Sequence, residues 1–404
     1  MQAIYLPPEL RDCVIDLLEA DHASLKACSL TCHAWLPRTR YHLFRSVQIA
    51  PGRRGKAFRA LLDGNPALGK HIQDVEILGS STDAPIERVV RMEWPTLRPT
   101  QRPLSPPIEE GCASWLQNAL PTSTSVLQRV SCLKLVAVHI HNELADLLFR
   151  HFPSIKTIVM SKCRSATFAD FVALPCMVFY NVENVQINEI HWLRSTLPPT
   201  PQTPRPATLR SLALSPNADD AFLLSWLISQ GTHTRLESLS CHSRGQPSAV
   251  AIRDLLTAVG SSLQHLSFGF SDVRDPTVIL RSAELSLQPA TGLRSLRIYC
   301  SNSRSSSLPS LSWIILMLSK MNSPHLQELE LVILASHVPA LNLEGLAVIL
   351  SHSRHASLDR LIFSVIQTGD ALDEIEGRIR TRMSSLTAKG LNVDIVSSAR
   401  LLSA

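Results

Sequence analysis

LESLSC at residues 236–241 and LQHLSF at residues 263–268 carry apolar residues at their first, fourth and sixth positions, and their starts lie 27 residues apart. The same six-residue phrase recurs as IQDVEI from Ile72, VSCLKL from Val130, IKTIVM from Ile155, VENVQI from Val182 and LRSLAL from Leu209. It continues as LRSLRI from Leu293, LQELEL from Leu326 and LDRLIF from Leu358. From Val130 onward the starts are separated by 25, 27, 27, 27, 27, 30, 33 and 32 residues, a self-similarity at the period of repeat architectures. Positions four and six point to one face and positions three and five to the other, which is strand alternation. The residues between phrases suffice for a helix and two turns.

Helical spacing supports that reading at Leu144, Leu147 and Leu148, at Ile252, Leu255, Leu256 and Val259, at Leu311, Ile314, Ile315 and Leu318, and at Leu343, Leu346, Ala347 and Leu350. Asn217 and Asn342 stand where two of these helices need caps. Strands joined by helices pair in parallel with right-handed crossovers, so the expected fold class is α/β, a curved solenoid with strands inside and helices outside. The phrase resembles the leucine-rich repeat, L-x-x-L-x-L, over most of residues 72 to 363. That family's Asn or Cys at the ninth position is present only as Cys163 and Asn217, so the expected array is irregular.

Between Ile72 and Val130 lies the proline-rich WPTLRPTQRPLSPP, residues 94–107, read as an insertion within one repeat, ahead of a helix at Cys112 to Leu120. PPTPQTPRP at 198–206 and SNSRSSS at 301–307 are further loops. The end of the chain, from about residue 370 to 404, gives an amphipathic helix through Leu372, Ile375, Ile379 and Met383 and then a short strand, a cap for the last repeat.

The 404 residues are 45% hydrophobic, enough for a large core or for two parts. The first residues lack a signal-peptide pattern and the longest apolar run, SWIILML, is too short to span a bilayer, so the expectation is a cytoplasmic or nuclear protein without membrane contact. Nine cysteines without a C-x-x-C pair read as reduced core thiols. The net charge of +5 is small for this length.

Ahead of the ladder, residues 6–44 read LPPELRDCVIDLLEADHASLKACSLTCHAWLPRTRYHLF. Pro7, Pro8 and Glu9 suit a first helical turn, and Leu10, Val14, Leu17 and Leu18 share one face of the helix that follows. Asp21 can cap a second helix carrying Leu25, Cys28 and Leu30, and a third runs from about His33 through Trp35, Leu36 and Leu43. So small a segment cannot bury this many large apolar groups against itself, which points to a partner surface.

These residues resemble the F-box family. Leu6, Pro7, Glu9 and Leu10 match its Leu-Pro-x-Glu-Leu opening, Val14, Ile15 and Leu18 match the rest of helix one, and Leu25, Cys28, Leu30, Cys32 and Trp35 match the later helices. Arg11 and Thr31 depart from it, standing where the family has aliphatic residues. The resemblance implies docking onto a Skp-type adaptor, and through it a cullin–RING ubiquitin ligase, by Leu6, Pro7, Leu10, Val14, Ile15, Leu18, Leu25, Leu30 and Trp35. The expected organisation is an F-box-like helical domain at 1–48, a linker and connecting helix at 49–71, and the repeat domain at 72–404.

The sequence holds no G-x-S-x-G elbow, no H-E-x-x-H and no G-x-G-x-x-G after a strand, so the expectation is a non-enzyme without cofactor or metal. GRRGK at 52–56 lacks the length of a phosphate loop and has Ala57 where Ser or Thr is needed. Cys28, Cys32 and His33 read as packing residues rather than zinc ligands. The resulting expectation is a substrate receptor whose repeat array holds an unidentified protein. Its outward strand positions include His242, His265, Arg297, Tyr299, Glu328 and Glu330, with Arg and Tyr as the anchors. The alternative is a repeat scaffold, or a nucleic-acid binder using the basic stretch from Arg38 to Arg59, whose N-terminal helices only cap the array.

Overall fold

The computed structural model describes residues 7–79, 112–172, 181–194, 208–216, 220–271, 273, 275–300, 311–352, 355–366 and 372–397. Leu6, Asn217, the proline-rich stretch at 94–107, both further loops and the two ends of the expected C-terminal cap lie outside the described residues. Two compact units divide the chain: Met1–Val182 with Ile190–Pro198, and Glu183–Glu189 with Pro199–Ala404.

The first unit opens with three helices, α1 (Pro8–Asp16), α2 (His22–Thr31) and α3 (Leu36–Arg45). A proline opens α1, where its missing N–H costs nothing, and the Asp21 carboxylate accepts from the Ala23 and Ser24 amides at 3.0 and 3.1 Å to start α2. α3 passes without a break into β1 (Ser46–Ile49), followed by α4 (Arg53–Gly64) and β2 (Asp74–Leu78). Then come α5 (Cys112–Ala119), β3 (Cys132–Val136), β4 (His139–Ile140), α6 (Asn142–His151), β5 (Thr157–Ser161) and β6 (Arg164–Thr167). β7 (Asn184–Asn188) belongs to the second unit, and β8 (His191–Arg194) returns to the first.

β1, β2, β3 and β5 pair in that order, all parallel. The expected ladder begins at Ile72, but the structure starts it one strand earlier, with Ser46 opposite Asp74. The phrase is present there as FRSVQI from Phe44, hidden because Phe44 and Arg45 also close α3. The stretch 49–71 thus contains the helical connection between two ladder strands, and a boundary at residue 48 falls inside β1.

A second, smaller parallel sheet of β4, β6 and β8 was not expected. Its first two strands each follow a ladder strand across a non-glycine residue with positive φ, Ala137 at 54° and Lys162 at 56°. Each is the eighth residue of its phrase, so the same left-handed turn redirects the chain in successive repeats.

The second unit runs from β7 to β9 (Ser211–Leu214), α7 (Asp220–Ser229), β10 (Ser238–Ser243), α8 (Gln246–Val259), β11 (His265–Phe270) and α9 (Pro276–Ser282). It continues through β12 (Ser295–Tyr299), α10 (Ser312–Ser319), β13 (Glu328–Leu334), α11 (Leu343–Leu350), β14 (Arg360–Ile366), α12 (Leu372–Thr387) and β15 (Asn392–Ser397). Every neighbouring strand pair, β7 with β9 and then each in turn to β15, is parallel. All ten phrases quoted from the sequence form strands, each beginning at phrase position three.

Register explains why position four had to be apolar. Leu212, Leu239, Leu266, Leu296, Leu329 and Leu361 lie opposite one another on successive strands, and none is more than 2% exposed. Each leucine hidden this way is worth about 1.5–3 kcal/mol. Asn342 caps α11 by accepting from the Gly345 amide at 2.8 Å. The thiols divide: Cys163, Cys241 and Cys300 are core as expected, whereas Cys13 and Cys32 are exposed. No helix among the described residues is long and apolar enough to cross a membrane.

Candidate functional site

Two surfaces concentrate the sequence-predicted residues, one in each unit. In the first unit the three N-terminal helices are held together from inside. Ile15 of α1 and Leu25 of α2, expected on the partner surface, are instead fully buried. Asp16 then ties α1 to α3. Its two carboxylate oxygens accept from Arg38 Nε and Nη2 at 2.6 and 2.7 Å, and Oδ1 lies 2.7 Å from His42 Nε2. Those bonds, with the Arg38 hydrogen bond the largest cause, hold the Asp16 carboxyl at about 2.

With that interior filled, a second apolar set is left outside. Leu10, Val14 and Leu17 follow the i, i+4, i+7 spacing of one helical face and are 53%, 42% and 86% exposed, and Leu30 at the end of α2 is 87% exposed. Pro7 is exposed beside them, and Leu18 and Trp35 are half-buried. Of the expected adaptor residues, Pro7, Leu10, Val14 and Leu30 thus stand on the open surface. Leu17 joins them, and its place on the face of Leu10 and Val14 was the signal for it.

In the second unit the outward positions of the strands form rows across the sheet. One row reads Ser240, Ser267, Arg297, Glu330, Ile362 and Asp394 from β10 to β15, and the next reads His242, Gly269, Tyr299, Val332 and Ser364 from β10 to β14. Arg297 Nε donates to Glu330 Oε2 at 2.6 Å, and Ser364 Oγ donates to the other oxygen at 2.7 Å. Glu330, expected as an exposed contact residue, is only 7% exposed because its two neighbours close over it. His265 and Glu328 flank Ser295, in the row one step earlier. Glu328 takes a 3.5 Å ion pair with Arg360, which also donates to Asp394 at 2.6 Å. His265 remains exposed.

His242 and Tyr299 are separated by a whole strand yet touch, their ring centroids 4.8 Å apart. Gly269 of β11 makes this contact available, since a Cβ there would come within 2.8 Å of Tyr299 Cβ and 2.9 Å of His242 Cδ2. Burial pushes the His242 imidazole down to about 4, opposed by a hydrogen bond with the Leu214 backbone, so the ring is neutral at ordinary pH. Its Nδ1 is buried without a hydrogen-bond partner among the described residues. The arrangement offers a neutral aromatic pair next to a self-compensated ion pair, a surface suited to contact rather than to proton transfer. Among the described residues no group of three His, Cys, Asp or Glu side chains could hold a metal ion.

No family model matches the chain, and no curated protein matches it. Among solved structures the chain is similar to one titled "Crystal structure of TLR13-ssRNA13 complex", at 12% identity and a TM-score of 0.33. The match covers 90% of this chain and 51% of that one, so the chain spans about half the length of this neighbour. At that score the likeness carries no argument about this chain.

Proposed function

We propose that this chain is the substrate-recognition subunit of a cullin–RING ubiquitin ligase, with its N-terminal helices docking a Skp-type adaptor and its strand ladder holding the protein to be modified. The observation that carries the reading is the apolar surface of Leu10, Val14, Leu17 and Leu30, left outside helices whose own interior is already occupied by Ile15 and Leu25. Exposed leucines on that scale are costly unless something covers them. The Leu-Pro-x-Glu-Leu resemblance at Leu6 to Leu10 says what kind of partner that is. In this role the chain supplies proximity, and the transfer chemistry belongs to the proteins it brings together.

A second reading treats the helices as a cap on a repeat scaffold, and the unbroken passage of α3 into β1 favours it. Against it, a terminal cap presents a polar outer face, and this one presents leucines. Co-purification of the full chain with a Skp-type adaptor separates the two. A stoichiometric complex supports the receptor, and a chain that stays alone at micromolar adaptor concentration supports the cap.

A further inference from the structure

The first unit carries a compact group of cations that neither the adaptor surface nor the ladder core uses. Arg40 lies on α3 beside Tyr41, and Lys70 precedes His71 at the end of the 3-10 turn Pro66–His71. The Tyr41 and His71 rings meet edge to face with centroids 6.4 Å apart, which brings these two cation-bearing pairs together. Arg129 joins them through the sheet. Asp74 and Cys132 are register partners, and His71 and Arg129 each stand three residues before them. The turns leading to those positions are pressed backbone to backbone, because a Cβ on Gly69 would fall 2.2 Å from the Val126 carbonyl oxygen.

Arg40, Lys70 and Arg129 are all exposed, and among the described residues none of them forms an ion pair. Their neighbours Arg38 and Arg45 do, with Asp16 and Glu19. The charges acting on His71 are all positive and come from Lys70, Arg129 and Arg40. Three like charges converging on one half-buried imidazole repel one another, and an anion placed among them removes that cost.

We propose that Arg40, Lys70 and Arg129, grouped around Tyr41 and His71, form a receptor for a phosphoryl dianion carried on a phosphorylated side chain of a protein partner. Two guanidinium forks and one ammonium match the oxygens and the double charge of a phosphoryl group better than they match a single carboxylate. The three cations act on a single ring, and Arg38 stands over one face of Tyr41 at 5.1 Å. A single-stranded nucleic acid is held along an extended cationic path with several stacking platforms, whereas three cations acting on one ring suit one phosphoryl group. This site uses none of the leucines of α1 and α2, so its test does not depend on whether the helices bind an adaptor.

The test titrates the full chain with the peptide acetyl-Gly-phosphoserine-Gly-amide, its unphosphorylated counterpart and a short oligothymidylate, following the Lys70 amide and His71 ring resonances. The phosphopeptide is expected to shift both saturably, while Arg40→Ala/Lys70→Ala/Arg129→Ala with unchanged thermal stability weakens it at least about tenfold. Lys70→Glu alone is expected to weaken it as well. The proposal is overturned by an equal response to the unphosphorylated peptide, by tighter binding of the oligothymidylate, by undiminished binding to the triple variant, or by no saturable shift up to about 10 mM phosphopeptide.

Discussion

Gly269 is the residue on which the outward face of the second unit turns. His242 and Tyr299 reach each other only because β11 has no side chain between them. Gly269→Ala should cost about 1–3 kcal/mol through overpacking, read as a lower denaturant midpoint with an unchanged slope. His242 gives a pH signature. Its folded pKa of about 4 lies below its ordinary 6.5, so on acidification the unfolded chain takes up the proton first. The stability due to keeping this ring neutral is complete above about pH 6.5 and is lost as pH falls towards about 4. Between about pH 7 and about pH 4.5 the wild type should lose on the order of 2 kcal/mol more than His242→Gln, measured by urea unfolding at the two pH values. Arg297 was legible in the sequence as an outward residue, but its partner was not. The phrase tells which residues share a row, and the spacing of charges within the row decides that Arg297 turns towards Glu330. Arg297→Ala should therefore cost about 1–3 kcal/mol by leaving a nearly buried carboxylate with Ser364 alone, and adding Glu330→Gln should recover part of it in a double-mutant cycle.

Strands were the most legible elements, because a parallel ladder demands apolar residues in register and the chain repeats that demand nearly every turn of the array. Ala replacement of Leu266, which is stacked between Leu239 and Leu296, should cost about 2–5 kcal/mol. Two features escaped. β1 was masked because one residue, Phe44, satisfies both the helical spacing of α3 and the first position of the phrase. The small sheet of β4, β6 and β8 was invisible because its strands are short and the turns before the first two use Ala137 and Lys162, where a glycine would have signalled the left-handed conformation. Since an L side chain at positive φ is strained, Ala137→Gly and Lys162→Gly should each stabilise the fold by about 0.5–1 kcal/mol, seen as a higher melting temperature.

For the molecule as a whole, the division of labour rests on what each part leaves uncovered. The ladder satisfies its core internally through matched leucines, and its outward charges compensate one another. The N-terminal helices are different: Ile15 and Leu25 close their interior, and Leu10, Val14, Leu17 and Leu30 still face outward. Their apolar excess was readable from the sequence, but which residues it comprised was not, since Ile15 and Val14 are neighbours on one helix and only the packing of α1 against α3 sends one inward. The most direct test of the receptor reading is the affinity of the folded full chain for a Skp-type adaptor, measured by calorimetry with and without Leu10→Ala/Leu30→Ala. The wild type should bind, and the double variant, equally stable because both side chains are exposed, should lose about 2 kcal/mol or more per anchor. An adaptor that fails to bind the folded wild type, or that binds the double variant with undiminished affinity, would contradict the account.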